Sequence, residues 1–179
     1  MCNLYSNTTT SQAMRQLFDV DVSRDHLGNA QPRPGIHPKG ATPVVALNDD
    51  GNRELVEMSW GFRTPQVSKR TGKPIKPAAW NNARDDKLMK SGLWRVERED
   101  LLEPEHPRRV HTMVTTEAND LIRHIHARGR MPVILRPEDY QAWLAGSLDE
   151  ATALIKPYPS DEMRIVLQGI GEKRDEAGH

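Results

Sequence analysis

Cys2 is the only cysteine in the 179-residue chain, and it directly follows Met1. A residue this small at position 2 permits removal of the initiator methionine. Removal would leave a cysteine with a free α-amine, a 1,2-aminothiol. Its two nucleophiles have unperturbed pKa values of about 8 for the amine and about 8.5 for the thiol. Both are partly deprotonated near neutral pH. An aldehyde meeting this pair forms an imine, and the thiol then closes a five-membered thiazolidine. An internal cysteine cannot do this, because its nitrogen is an amide. A cysteine at position 2 on its own is commonplace, so the reading depends on what accompanies it.

Histidines and an amide accompany it. His111, His124 and His126 fall around one strand-like segment and the helix-like segment after it. His124-Ile125-His126 suggests a metal pair only weakly, since no second cysteine and no acidic ligand stands at a familiar spacing. On a helix, residues two apart do not face each other. A single histidine acting as general acid and base beside a thiol or imine is the more economical reading, and no metal or cofactor is expected. Asn82 and Arg84 lie in the tryptophan-flanked run Trp80-Asn81-Asn82-Ala83-Arg84. Read plainly, this run is a turn. Read chemically, Asn82 orients a nucleophile or substrate and Arg84 contacts a phosphate. Cys2, His126 and Asn82 also have the residue types of a Cys-His-Asn nucleophilic triad.

Many short elements must position these residues. Residues 1–9 read as extended. Thr10 or Ser11 caps a helix with Ala13, Met14, Leu17 and Phe18 on one face. Residues 24–43, rich in proline, read as irregular. Val44–Leu47 and Leu55–Phe62 read as strands joined by a turn at Asn48–Asn52. Residues 63–79 read as a basic loop carrying Lys69, Arg70, Lys73 and Lys76, and 97–109 as a charged loop. Val110–Thr116 alternates like a strand, Glu117–Ile125 is helix-like, and Met131–Leu135 is a short strand. Pro137 opens a helix through Trp143, Ser147 caps another through Leu154, and Met163–Leu167 is a last strand. Residues 171–179 read as a frayed tail. The pattern predicts a single α+β domain over 1–179.

Composition narrows the classes. Lys plus Arg and Asp plus Glu both number 25, so no large basic field is available to hold duplex DNA non-specifically, although a local basic groove remains open. A lone cysteine fits a reducing cytoplasm, and no apolar run approaches the length of a membrane span. Aromatic residues make up 5% of the chain, so contacts to a nucleic acid would be mainly to phosphates.

Five motifs then stand in a familiar order: Met1-Cys2-Asn3-Leu4-Tyr5, Trp60-Gly61-Phe62, Asn82-Ala83-Arg84, Thr115-Thr116-Glu117-Ala118-Asn119, and His126 ahead of Met131-Pro132-Val133-Ile134-Leu135. Together they closely resemble the SOS-response-associated peptidase (SRAP) family, from Met1 to about Asp175. The start Met-Cys-Asn-Leu-Tyr is similar to a phage- or prophage-associated branch. The resemblance implies a compact domain of curved antiparallel sheets with short flanking helices. It implies capture of the ring-opened aldehyde of an abasic site in single-stranded DNA as a thiazolidine on Cys2. Asn82 would position the sugar, and His126 would move protons, with His124 as the alternative. Arg84, Arg128, Arg130 and Trp60 would contact DNA.

The sequence departs from the family pattern where an Arg-Cys-Leu-x-Pro strand and a Gly-Phe-Tyr-Glu-Trp strand are expected. Ser91-Gly92-Leu93-Trp94-Arg95 runs almost directly into the segment before Val110. The family's active-site Glu thus has no clear equivalent among Glu97, Glu99, Glu103 and Glu105. A second copy of the chain could complete the missing strands. Two other functions stand beside capture: a thiol peptidase or autopeptidase using Cys2, and a non-catalytic single-stranded-DNA-binding relative.

Overall fold

Residues 3–88, the backbone of 97–99 and residues 109–166 are described in a computed structural model of the chain. The elements in chain order are β1 (Tyr5–Asn7), α1 (Ser11–Phe18), β2 (Arg33–Ile36), β3 (Ala41–Leu47), β4 (Arg53–Trp60), β5 (Phe62–Val67), β6 (Pro74–Trp80), β7 (Asn82–Arg84), α2 (Asp85–Leu88), β8 (Glu97–Glu99), β9 (Arg109–His111), β10 (Met113–Glu117), α3 (Asp120–Arg123), β11 (Arg130–Pro132), α4 (Tyr140–Ala145) and α5 (Leu148–Ala153). The fold is α+β, as the sequence pattern predicts. The strands form small sheets in the orders β1-β2, β3-β4-β9-β8, β5-β6 and β11-β10-β7. Most pairs are antiparallel, but β4–β9 and β7–β10 are parallel.

The β3–β4 hairpin anchors the core. Its strands pair from Ala41 opposite Ser59 to Leu47 opposite Arg53. The turn forms because the Asn48 side chain accepts the amides of Asp50 and Asn52, at 3.1 and 2.9 Å, while Gly51 takes φ +76°. Leu55 packs with Met14 and Val20, and Val56 and Met58 pack with Ala46 in a separate cluster. A further core gathers Phe62, Ala83, Leu88, Val110 and Val114, with Trp80 and Trp143 against it. Thr10 caps α1 by accepting the Ala13 amide at 3.2 Å. Ser147 and Glu150 form a reciprocal capping box at the start of α5.

Several expectations are corrected. The 24–43 stretch contains β2 and the start of β3. The basic 63–79 stretch is not a loop but a β5–β6 ribbon, with a register shift between Thr64 and Gln66. Its prolines are tolerated because the ribbon pairs on one side only and carries an irregularity beside Pro65. β8 lies within the charged 97–109 stretch. The Val110–Thr116 strand is two strands, interrupted at Thr112, whose hydroxyl donates to the Trp80 carbonyl at 3.0 Å. The helix expected over Glu117–Ile125 shrinks to α3, because Asn119 caps it by accepting the Ile122 amide at 2.9 Å. Leu17, placed on an apolar face by periodicity, is exposed, and so is Ile125 in the helix-like segment. Residues 163–166 are not a strand; Leu167 and the 171–179 tail lie outside the described residues.

Candidate functional site

Strand alternation explains the Asn-x-Arg spacing. β7 runs parallel to β10, with Asn82 opposite Met113, Ala83 opposite Val114 and Arg84 opposite Thr115. Successive strand residues point to opposite faces. Ala83 therefore enters the core at 1% exposure, and Asn82 and Arg84 share the other face. Both of these line a cleft of about 330 Å³, together with Asn3, Ala79, Trp80, Asn81, Lys87 and Arg128. Asn82 is buried and Arg128 is exposed. The cleft thus joins two amides, Asn81 and Asn82, and three cationic side chains to Asn3, the residue immediately after Cys2. Cys2 itself lies outside the described residues.

The floor of the cleft is clamped by Trp60 and Gly61. The Trp60 indole N–H donates to the Asn81 carbonyl at 2.8 Å, and the Met113 amide reaches the same oxygen at 3.3 Å. Gly61 has φ +96°, and its amide donates to the His111 carbonyl at 2.7 Å. A Cβ at position 61 would collide with Asn81 Oδ1. Trp60 is completely buried, with Tyr5 edge-on at 5.1 Å between ring centroids. The expectation that Trp60 contacts DNA is therefore corrected: an indole with no exposed surface cannot meet a base, and it holds the Asn81–Asn82 backbone instead.

Arg130 is corrected for a related reason. Its guanidinium donates to Asp85 at 2.7 Å and to the Thr115 carbonyl, and its side chain is 12% exposed. Burial opposes ionisation of Asp85, but hydrogen bonds from Arg130, the Asp86 amide and Thr116 outweigh it and hold its pKa below the ordinary value. Thr116 donates to Asp85 at 3.0 Å, and Thr115 reaches the Ala83 carbonyl at 3.4 Å. The Thr-Thr motif and Arg130 are thus the brace behind β7. Arg84 pairs through both arms of its fork with Asp86, at 2.8 Å each. That pair is solvent-exposed, so an incoming phosphate competes with a partner already screened by water.

His126 is half-buried and stands two residues before Arg128, in the turn after α3. It is not among the residues lining the cleft. Its Nδ1 accepts a long hydrogen bond, 3.4 Å, from the Arg130 amide, which favours the neutral tautomer with its proton on Nε2. Burial lowers its pKa, and the positive charges of the amino terminus and Arg128 lower it further. The proton-accepting form therefore prevails at neutral pH. His124, the alternative, is exposed at the C-cap of α3. His111 is a third case: its Nε2 lies 2.9 Å from Thr42 Oγ1, and burial lowers its pKa to about 4. It is half-buried and ties β9 to Thr42 on β3. Of the Glu candidates, Glu97 and Glu99 lie on β8 opposite His111 and Arg109, and Glu103 and Glu105 lie outside the described residues. Among the described residues, no group of three or more His, Cys, Asp or Glu side chains could hold a metal ion, and no helix is long and apolar enough to cross a membrane.

Solved structures share this arrangement of elements. A crystal structure of a protein from Bacteroides thetaiotaomicron superposes with a TM-score of 0.60 at 17% identity, over 90% of this chain and 89% of that one. One from Bordetella bronchiseptica gives 0.61 at 19% identity, over 89% and 96%. No curated protein matches the sequence. The SOS response associated peptidase (SRAP) model matches residues 1–101 and 92–167, so the chain belongs to that family. The two matched segments overlap at 92–101, where the sequence departs from the family's Glu-bearing pattern. Membership associates the chain with DNA damage, interaction with DNA and a peptidase-like function.

Proposed function

We propose that this protein captures abasic sites in single-stranded DNA as a covalent thiazolidine on Cys2. The observation that carries the reading is the cleft in which Asn3, the neighbour of Cys2, meets Asn82, Arg84 and Arg128. An aminothiol at that end of the chain would face an amide and cations suited to a sugar and its phosphates.

The reaction balances without a cofactor. After loss of Met1, the Cys2 amine adds to the aldehyde carbon of the ring-opened sugar. The resulting carbinolamine loses water to give an imine. The thiolate Sγ adds to the imine carbon, and the nitrogen takes up a proton, closing the thiazolidine. The net change is aldehyde plus aminothiol to thiazolidine plus water. Arg84 and Arg128 hold the flanking phosphates, and Asn82 hydrogen-bonds the sugar hydroxyls or the reacting oxygen. Neutral His126 accepts and returns the proton that moves between nitrogen and oxygen.

Intact-mass measurement after incubation with an abasic single-stranded oligonucleotide tests this directly. The expected product is the chain without Met1, increased by the oligonucleotide mass minus one water. Cys2→Ser should form no stable adduct. An unchanged mass from protein that binds the strand would refute capture and leave a binding relative. Turnover of a peptide in trans, abolished by Cys2→Ser, would support the peptidase reading instead.

A further inference from the structure

We propose that the β5–β6 hairpin is a second nucleic-acid contact, binding the phosphates of the single strand as it leaves the cleft. The inference rests on the single-stranded-DNA reading above and extends it to a surface outside the reaction centre.

Charge distribution is the first support. The chain as a whole is neutral, yet between Glu57 and Asp85 there is no acidic residue and there are six cations. Four of these, Lys69, Arg70, Lys73 and Lys76, sit on the outer part of the hairpin and are exposed. Among the described residues, none of the four takes part in an ion pair or hydrogen bond from its side chain. Such cations break no contact within the protein when a phosphate arrives, whereas Arg84 must first give up Asp86.

Connectivity is the second support. The base of the hairpin is a wall of the cleft, since Ala79 and Trp80 line it. The Trp80 indole donates to Thr64 Oγ1 at 2.9 Å, and Phe62 opposite Trp80 is completely buried, so the base is rigidly seated. From Trp80 the ribbon runs outward to the turn closed by Ser68 and Lys73, whose backbones are bonded at 2.9 Å. At about 3.3 Å per residue this is roughly 20 Å of extended, acid-free surface leading away from the cleft. Val67 and Ile75 are exposed beside the cations, at 62% and 52%. A strand with both phosphates and unstacked bases satisfies that mixture; a duplex, whose bases are stacked inside, satisfies only the cations.

The test uses unmodified single-stranded DNA, so it does not depend on adduct formation. Two oligonucleotides are compared, one only long enough to fill the cleft and one extending well beyond it. The wild-type protein should bind the longer strand more tightly, by a margin that shrinks as salt rises. In the K69A/R70A/K73A/K76A variant the margin should collapse. Each cation contributes about 0.7 to the slope of log affinity against log salt for a single strand, so four should lower the slope by about 3. Because all four side chains are exposed, the melting temperature should be unchanged, and this is checked. The charge-preserving variant K69R/K73R/K76R should retain the margin and the slope. A quadruple variant that binds the long strand with wild-type affinity and slope would overturn the proposal. So would a loss matched by the charge-preserving variant. Failure of Cys2 capture would appear separately, as an absent adduct with the length-dependent binding intact.

Discussion

Replacing Gly61 by alanine tests how the cleft floor is held. Two costs arise at this position. First, φ is +96°, a backbone conformation that side-chain-bearing residues rarely adopt. Holding alanine there costs about 1–3 kcal/mol. Second, the new methyl would run into Asn81 Oδ1, while Asn81 Cγ and Cα lie at ordinary contact distances of 3.4 and 3.5 Å. The Asn81 backbone cannot easily retreat, because its carbonyl is held by both the Trp60 indole and the Met113 amide. Oδ1 ends a side chain that can turn aside, so this contact adds only about 0.5–1.5 kcal/mol, the cost of a displaced rotamer. Gly61→Ala should therefore destabilise the protein by about 1.5–4.5 kcal/mol. The second cost alone is removable: Asn81→Ala deletes Oδ1 and Cγ and leaves the strained backbone unchanged. Urea unfolding of the two single variants and the double variant gives the coupling. The double variant should be less destabilised than the sum of the singles by about 1 kcal/mol. Additivity to within about 0.5 kcal/mol would refute the claim that Gly61 is required by its closeness to Asn81.

Two further perturbations follow from the same geometry. His111 has its folded pKa lowered to about 4 against an unfolded value of 6.5, so the unfolded chain binds more protons between those values. Stability should be full above pH 6.5 and fall by roughly 3 kcal/mol as pH drops toward 4. His111→Gln, which can still bond Thr42 but cannot titrate, should flatten that part of the pH–stability curve; an unchanged curve would mean that other groups control it. Arg130→Ala should unfold at lower urea, by about 3 kcal/mol, since it leaves Asp85 charged and half-buried without its partner. The same variant, at a temperature where it is folded, should keep the wild-type salt slope for single-stranded DNA. Arg128→Ala should do the reverse, with stability unchanged and the slope lower by about 0.7.

The contrast between Arg128 and Arg130 shows what the sequence could and could not reveal. Asn82 and Arg84 were legible by residue type and motif but not by their element: read plainly, their run was a turn, and it is β7 that puts both on one face. The β3–β4 hairpin was legible too, since alternation and an Asn-Asp-Asp-Gly-Asn turn signal it together. Arg128 and Arg130 are equally basic and two residues apart, and no local rule separates them. What separates them is Asp85, 45 positions away along the chain, which becomes a neighbour only once β7 and β11 flank β10. Trp60 fails for the same reason. An alternating strand assigns it a face but does not say whether that face is covered, and here it is covered by Tyr5 and by the backbone of Asn81. The basic ribbon was hidden by its prolines, which argue against a strand wherever both edges must pair. On a two-stranded ribbon only one edge pairs, so Pro65, Pro74 and Pro77 cost it little. The cationic side chains of that ribbon were visible from the start, but their role depends on Trp80, which ties the ribbon's base to the cleft. The site is therefore legible as a set of residue types. Which cations are free to meet a phosphate is decided by partners that only the fold brings together.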